Sequence, residues 1–363
     1  MQLHIIGGFL GSGKTTAIIG AARYLAAKGK QVGVITNDQG RHLVDTLILR
    51  AEALPAMEVS GGCFCCHFDD LNQRLKDLID QYHPDVIFAE SVGSCADLVA
   101  TVVRPLLEME IGALKPSSYT VFADVRLLHR YLNNMEMPFN EGINYIFGKQ
   151  IEEAGLLFIN KTDLVDADRI KDVTNKASQS YPGTQVITAS ALCADDIAVW
   201  VDGLLSGAYP APTHSLDIDY DTYAEAEGSL GWIDREYRLS ASSRPILREI
   251  LKKWVNLIKE NQWMDGHVKV VVSSTESAEK ISLAQSGEMI SESDFHVFLS
   301  KDICVSEEVT ILLNMLVEGN PTHILQTMHA GLDAVLSGSG AKNQVVQTFE
   351  RVPGYPQPTH RME

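Results

Sequence analysis

One eight-residue stretch near the amino end restricts the fold more than anything else in the chain. Gly8-Phe9-Leu10-Gly11-Ser12-Gly13-Lys14-Thr15 lies directly between an apolar run, Leu3 to Ile6, and a segment of helical periodicity from Thr15 to Lys28. That is the strand–loop–helix setting in which a glycine-rich loop wraps a phosphate chain. Gly8, Gly11 and Gly13 let successive backbone N–H groups turn toward phosphate oxygens, and the helix start adds partial positive charge. Lys14 is placed to span the outer phosphates and Thr15 to give its hydroxyl to Mg²⁺, with Ser12 and Thr16 beside them against the nucleotide. Such a loop is served by a buried parallel strand, so an α/β fold is expected.

The rest of the first 200 residues agrees with this. Short apolar runs at Val32 to Thr36, Val86 to Ala89, Tyr119 to Ala123, Leu156 to Ile159 and Gln185 to Thr188 read as buried strands. Helical segments such as Leu71 to Gln81 and Ile170 to Ser180 separate them, which implies a mostly parallel sheet covered on both faces. The pattern changes after Trp200. Residues 1–205 are expected as a P-loop domain, 206–227 as a Pro- and acid-rich linker, 228–345 as a smaller α+β domain and 346–363 as a flexible tail. In the second domain, strands are expected at Leu230 to Leu239, His267 to Val272 and His296 to Leu299. Helices are expected through Ile246 to Ile258, near Glu307 to Val317, and from an Asn320 cap with Pro321 in the first turn.

Further motifs refine the ligand. Asn160-Lys161-Thr162-Asp163 follows the strand at Leu156 to Ile159, where Asp163 can accept both N–H donors of guanine while Lys161 covers the ring. Adenine offers no such donor pair, so a carboxylate there selects GTP over ATP. An ATP-dependent small-molecule kinase is disfavoured for the same reason. Ser190 and Ala191, after another strand, sit where a loop can close over the base. The strand at Val86 to Ala89 ends in Glu90, a carboxylate for Mg²⁺, and Gly93 can sense the γ-phosphate through its N–H. Asp38, in the turn after the second strand, is a third candidate for Mg²⁺ or the attacking water. Lys14, Asp38 and Glu90 are therefore the candidate catalytic residues. No glutamine follows Gly93 to orient water, so turnover is expected to be slow.

A second motif is chemically independent of the first. Gly61-Gly62-Cys63-Phe64-Cys65-Cys66-His67 places three thiols within four residues, able to converge on a soft or borderline cation such as Zn²⁺ or Co²⁺. Fourth-ligand candidates are His67, His42, Asp38 and Glu58, whereas Cys95, Cys193 and Cys304 stand apart and read as small apolar fillers. Six cysteines in 363 residues, half of them clustered, do not make a disulfide framework and point to a reducing, cytoplasmic setting. The formal charge of −17 opposes nucleic acid and anionic lipid, and no apolar run approaches the ~20 residues that cross a bilayer.

These elements, in this order, resemble the CobW-like GTPases, metallochaperone relatives of HypB and UreG. GGFLGSGKTT at 7–16, EVSGGCFCC at 58–66, ESVGSCADL at 90–98 and NKTDL at 160–164 carry the resemblance, over about residues 2–200. It implies that Glu90 stands in for the usual Asp of the third motif, and that Cys63, Cys65 and Cys66 bind metal. It also implies slow GTP hydrolysis coupled to delivery of zinc or cobalt to a client metalloprotein or metal-dependent enzyme. Gly155 replaces an acid of the family pattern and is expected to loosen the edge of the strand that follows. The His-rich loop of many members is missing from 1–363. On this reading GTP and Mg²⁺ order 38–45 and 90–93 and so rearrange the cysteine loop. The alternative is a GTP-dependent activator of a metal- or corrinoid-dependent enzyme, with the thiols as a structural staple. A homodimer stays open.

Overall fold

The computed structural model describes residues 1–38, 49, 54–108, 114, 116–240, 243–263, 265–274, 278–283 and 308–362. They form two compact units, which divide between Ala226 and Glu227, and the stretch from Tyr355 onward returns to the first.

The first unit is built on seven parallel strands in the order β3-β2-β4-β1-β5-β6-β7. They are β1 (Gln2–Gly8), β2 (Val32–Asp38), β3 (Ala56–Ser60), β4 (Val86–Glu90), β5 (Pro116–Asp124), β6 (Leu156–Asn160) and β7 (Gln185–Thr188). Six cover the expected apolar runs. The edge strand β3 is an addition: its residues, AMEVS, are short and half polar. β4 and β6 are buried along their whole length, as strands covered on both faces must be. On one face α1 (Lys14–Ala27) packs with α7 (Ala194–Leu205), whose Trp200 ring meets Phe88, Phe122 and Phe158 at centroid distances of 6.0, 5.3 and 5.5 Å. Truncating Trp200 to Ala would cost about 3–5 kcal/mol. α2 (Phe68–Tyr82), α3 (Arg104–Glu108), α4 (Val125–Leu132), α5 (Glu141–Glu152) and α6 (Ala167–Ser180) complete the layers.

Parallel pairing brings the carboxyl ends of the strands to one edge. Glu90 lies level with Ile6 on one side and Thr36 on the other, and Asp124 lies level with Asn160. This is the edge where open α/β sheets hold ligands.

The stretch 206–227 is folded rather than a free linker. It carries α8 (Tyr220–Gly228), and Ile218, Tyr223 and Ala226 are buried with Ala96 and Ile146. Gly155 does not loosen β6. A Cβ there would lie 2.8 Å from the Pro212 ring and 3.2 Å from the Pro210 carbonyl, so the missing side chain admits the returning chain.

The second unit holds five antiparallel strands in the order β10-β9-β11-β8-β12: β8 (Leu230–Ser240), β9 (Asp265–Ser273), β10 (Ala278–Leu283), β11 (Glu308–Glu318) and β12 (Lys342–Arg351). Helices α9 (Arg244–Glu260) and α10 (Pro321–Leu336) supply Leu247, Ile250, Trp254, Leu325, Met328 and Leu332 to its core. Asn320 caps α10 by accepting from His323 N at 3.0 Å, as expected. Two expectations fail. Of the stretch 307–317 expected as a helix, residues 308–317 lie in the central strand β11, because Val309, Ile311, Leu313, Met315 and Val317 all enter one core. The tail from 346 is not frayed: it continues β12 along β8 and then packs on the first unit. The strand expected at 296–299 lies outside the described residues. Among the described residues, no helix is long and apolar enough to cross a membrane.

Candidate nucleotide and metal site

The phosphate loop connects β1 to α1. Gly8 has φ +123°, and a Cβ there would sit 2.2 Å from the Phe122 carbonyl oxygen, so this glycine serves the close approach of β5. Gly13 has φ +97° and would drive a Cβ to 2.3 Å from Asn160 Nδ2. Lys14 Nζ donates to the carbonyls of Gly8 at 2.6 Å and Phe9 at 3.2 Å, crossing the loop it belongs to. Thr15 Oγ1 donates to Glu90 Oε1 at 2.8 Å, a hydroxyl and carboxylate pair of the kind that holds Mg²⁺. Ser12 Oγ is buried without a hydrogen-bond partner, an orphan that a phosphate oxygen would satisfy. Thr16, by contrast, is exposed on α1. Gly93 is packed on the loop, since a Cβ would meet Leu10 Cα at 3.0 Å, and its carbonyl accepts from Gln150 Nε2 at 2.9 Å. Asp38 ends β2 opposite Ser60. Its side chain, and with it the segment 39–45 expected to respond to nucleotide, falls outside the described residues.

On the base side, Asn160 is fully engaged. Its Nδ2 donates to Ser12 O at 2.7 Å, while Oδ1 accepts from Lys161 N at 2.7 Å and Ala191 N at 2.8 Å. It ties the phosphate loop to the 190 loop, so its contribution to a nucleotide is placement. Ser190 N is held by Asp196 Oδ2 at 2.7 Å. Lys161 adopts a left-handed backbone, φ 64°, and its Nζ lies 2.9 Å from Asp124 Oδ2. Burial opposes ionisation of Asp124, yet Lys161 and Arg126 hold its carboxyl down at about 2. Asp163, on a short 3₁₀ turn, is exposed. Asp124 carries the same sequence signal as Glu90, an apolar strand ending in an acid. Asp196 and Gln150 carry no local signal.

The thiols are gathered by one turn after β3. Gly61 has φ +83°, and both Cys66 N and His67 N donate to the Cys63 carbonyl, at 3.1 and 3.0 Å. The sulfur atoms of Cys63, Cys65 and Cys66 lie within 4.8 Å of one another, with Cys63 and Cys65 2.7 Å apart and Cys65 and Cys66 3.8 Å apart. The Cys65 and Cys66 thiols donate to Cys63, which therefore ionises well below its ordinary range, while the negative partner pushes Cys65 well up and Cys66 to about 11. Three sulfurs this close together are a donor set suited to a soft or borderline dication. His67 is not part of the cluster: its ring covers Gly62, where a Cβ would come within 2.6 Å of Nε2. Glu58 is half-buried on β3 and does not join the cluster, and His42 lies outside the described residues. Cys95 is buried. Cys193 is exposed, and Cys304 lies outside the described residues.

Two further features bear on this loop. Asn37, the penultimate residue of β2, donates to Val59 O at 3.1 Å and Gly62 O at 2.7 Å and accepts from Phe64 N at 2.8 Å. It therefore clamps the cysteine turn to the strand whose end faces the nucleotide edge. From the far end of the sequence, Gln357 N donates to Cys66 Sγ at 3.3 Å, and Thr359 N and Oγ1 donate to the carbonyls of Cys65 and Cys66 at 2.8 and 3.2 Å. Arg361 closes this strap on the buried Asp97 at 2.8 Å.

The family model for the CobW/HypB/UreG nucleotide-binding domain matches residues 2–188, just over half of the chain. The chain belongs to the CobW/HypB/UreG family. Among curated relatives it is 30% identical over 194 residues to a zinc chaperone CobW of Sinorhizobium sp., covering 48% of this chain and 54% of that protein. It is 28% identical over 171 residues to the zinc chaperone YeiR of Escherichia coli, covering 45% and 47%. The chain thus spans about half the length of the curated relatives it matches. Solved structures with a similar fold include HypB from Helicobacter pylori in complex with nickel, with a TM-score of 0.43, 19% identity and coverage of 60% and 92%. Zn(II)-bound YjiA GTPase from E. coli aligns with a TM-score of 0.40, 12% identity and coverage of 92% and 98%. A P-loop nucleotide-binding domain of this family that carries a thiol cluster able to bind metal is the coarse identity of the molecule.

Proposed function

We propose that this CobW-family protein binds and slowly hydrolyses GTP and uses the nucleotide state to control uptake and release of a transition metal, zinc or cobalt, for a client metalloprotein. The observation that carries the reading is the Asn37 clamp, because one side chain is bonded at once to the end of β3, to Gly62 and to Phe64. Nucleotide that re-orders the end of β2 must then move, or fix, the turn bearing Cys63, Cys65 and Cys66.

In this reading Gly11, Ser12, Gly13 and Lys14 hold the phosphates, and Thr15 and Glu90 hold Mg²⁺, with Asp38 as the third group on that edge. Mg²⁺ supplies charge neutralisation of the β- and γ-oxygens when bound. Asp163 accepts the guanine N–H donors while Lys161, kept in place by Asp124, lies on the ring. Gly93, whose backbone abuts Leu10, is positioned to register whether a γ-phosphate is there. The metal is cargo, held by sulfur.

Coupling of this kind is reciprocal: a tenfold gain in metal affinity on GTP binding equals a tenfold gain in GTP affinity on metal binding, about 1.4 kcal/mol. The test is a zinc or cobalt titration of the reduced protein alone, with GDP and with GTP, paired with phosphate release in the presence and absence of metal. Affinity that differs between the GDP and GTP forms is expected. Equal affinity in all three forms would overturn the chaperone reading and leave the cysteines as a structural staple.

A further inference from the structure

Residues 355–362 lie across the cysteine turn and are held at two places. At one, Gln357 N donates to Cys66 Sγ at 3.3 Å, and Thr359 N and Oγ1 donate to the carbonyls of Cys65 and Cys66 at 2.8 and 3.2 Å. The His360 ring also meets Phe68, the first residue of α2, edge-on at 5.1 Å. At the other, Arg361 Nε donates to Asp97 Oδ2 at 2.8 Å and Met362 N donates to Ala100 O at 2.9 Å. This second attachment is to the stretch that follows Glu90 and Gly93, not to the cysteine turn.

That stretch is held as one mechanical piece. Gln150 Nε2, in the last turn of α5, donates to the carbonyls of Gly93 at 2.9 Å and Cys95 at 2.8 Å. Glu153, just beyond the same helix, accepts from Val99 N at 3.1 Å. One helix end therefore grips both ends of 93–99, and the same helix sets Phe147 against Phe9 of the phosphate loop, with ring centroids 5.5 Å apart. Asp97, between those grips, is fully buried and has a left-handed backbone, φ 63°, which a residue other than glycine keeps only where its surroundings enforce it. Its Oδ1 is buried without a hydrogen-bond partner, so the carboxylate depends on Oδ2, which accepts from Tyr220 Oη and Arg361 Nε, each at 2.8 Å.

We infer that 355–362 is a strap whose position over Cys66 is set by the 93–100 segment, so that the nucleotide state governs access to the sulfurs as well as their arrangement. The inference deepens the function proposed above and rests on Gly93 responding to a γ-phosphate. Parting Arg361 from Asp97 would leave a buried carboxylate without its cation, which is far more costly than giving up the hydrogen bonds that the exposed Gln357 and Thr359 make to the cysteine turn. When the segment shifts, the strap therefore keeps its hold on Asp97 and lets go of Cys65 and Cys66. A γ-phosphate that draws in the Gly93 N–H moves the segment, and Cys66 is uncovered. The Asn37 clamp then acts on how the sulfurs are arranged, and the strap on how fast anything reaches them.

Alkylation of Cys66 by N-ethylmaleimide in the full, reduced, zinc-free chain, mapped by peptide mass spectrometry, reads the strap directly. Cys66 should react at least about fivefold faster with a non-hydrolysable GTP analogue than with GDP. In Arg361→Ala, where the strap has lost its link to the segment, the rate should be high and the same with either nucleotide. Arg361→Lys, which keeps a cation for Asp97, should restore a difference between the two nucleotides. Should Arg361→Ala fail to fold, the wild-type comparison still decides. Equal rates with GDP and the analogue in the wild type, or a difference that persists in Arg361→Ala, would overturn the strap while leaving nucleotide-dependent zinc affinity intact. A chain that binds no GTP would overturn the underlying reading as well.

Discussion

Replacing Asn37 by alanine removes three buried hydrogen bonds and no others that the fold of β2 depends on. Val59 O, Gly62 O and Phe64 N lose their partner together. If the turn stayed in place, each stranded group would cost about 1–3 kcal/mol, so the cheaper response is for the 61–64 turn to swing toward water. That forfeits roughly 1 kcal/mol net per bond, about 3 kcal/mol in all. A binding site that is assembled in only a fraction of molecules loses affinity by that fraction, so zinc binding should weaken by up to about 100-fold. The GTP-dependent gain should shrink toward unity, because the strand end and the turn no longer move as one. Asn37→Asp is expected to be worse than alanine, since a carboxylate would face two carbonyl oxygens. Competition against a chromogenic chelator, with and without GTP, measures both effects, and GTP affinity in the absence of metal serves as the control. Zinc affinity and nucleotide dependence both at wild-type levels in Asn37→Ala would refute the clamp as the route of coupling.

Asp163→Ala should reduce discrimination between GTP and ATP by about 10²-fold or more, read by competitive nucleotide binding, because the donors of guanine lose their acceptor. Burial pushes the Glu153 carboxyl up to about 8, with Val99 N and Tyr119 Oη as its partners. The folded state therefore holds a proton that the unfolded chain releases near pH 4.5. Stability should fall by about 1.4 kcal/mol per pH unit as pH rises from about 4.5 to 8, and Glu153→Gln should flatten that slope in chemical denaturation. Arg361→Ala leaves the fully buried Asp97 without its cation and loosens the strap over Cys66. A loss of about 2 kcal/mol or more in unfolding free energy is expected, together with faster zinc release in stopped-flow chelation.

The parallel core and the phosphate loop were legible because their signals are local. A buried strand is an uninterrupted apolar run, and the loop, its lysine and its threonine occupy adjacent positions. The same holds for Asp163 and Cys63 to Cys66. What the chain concealed depends on partners remote in sequence: Asn37 acts on Gly62 and Phe64, Gln150 on Cys95, and the 355–362 strap on Cys65 and Cys66. β11 deceived for a different reason. Its run Ile311-Leu312-Leu313-Asn314-Met315-Leu316-Val317 is buried on both faces, so the alternation that marks a strand is erased and helical spacing fits equally well.

The strap also sets an order of events during synthesis. The amide that covers Cys66 belongs to a residue 291 positions further on. At about 5–20 residues per second, the ribosome leaves the sulfur nest uncovered for about 15–60 s after it has been made. Cations present near a translating ribosome therefore meet an open nest first, and the finished molecule is the slower one to load.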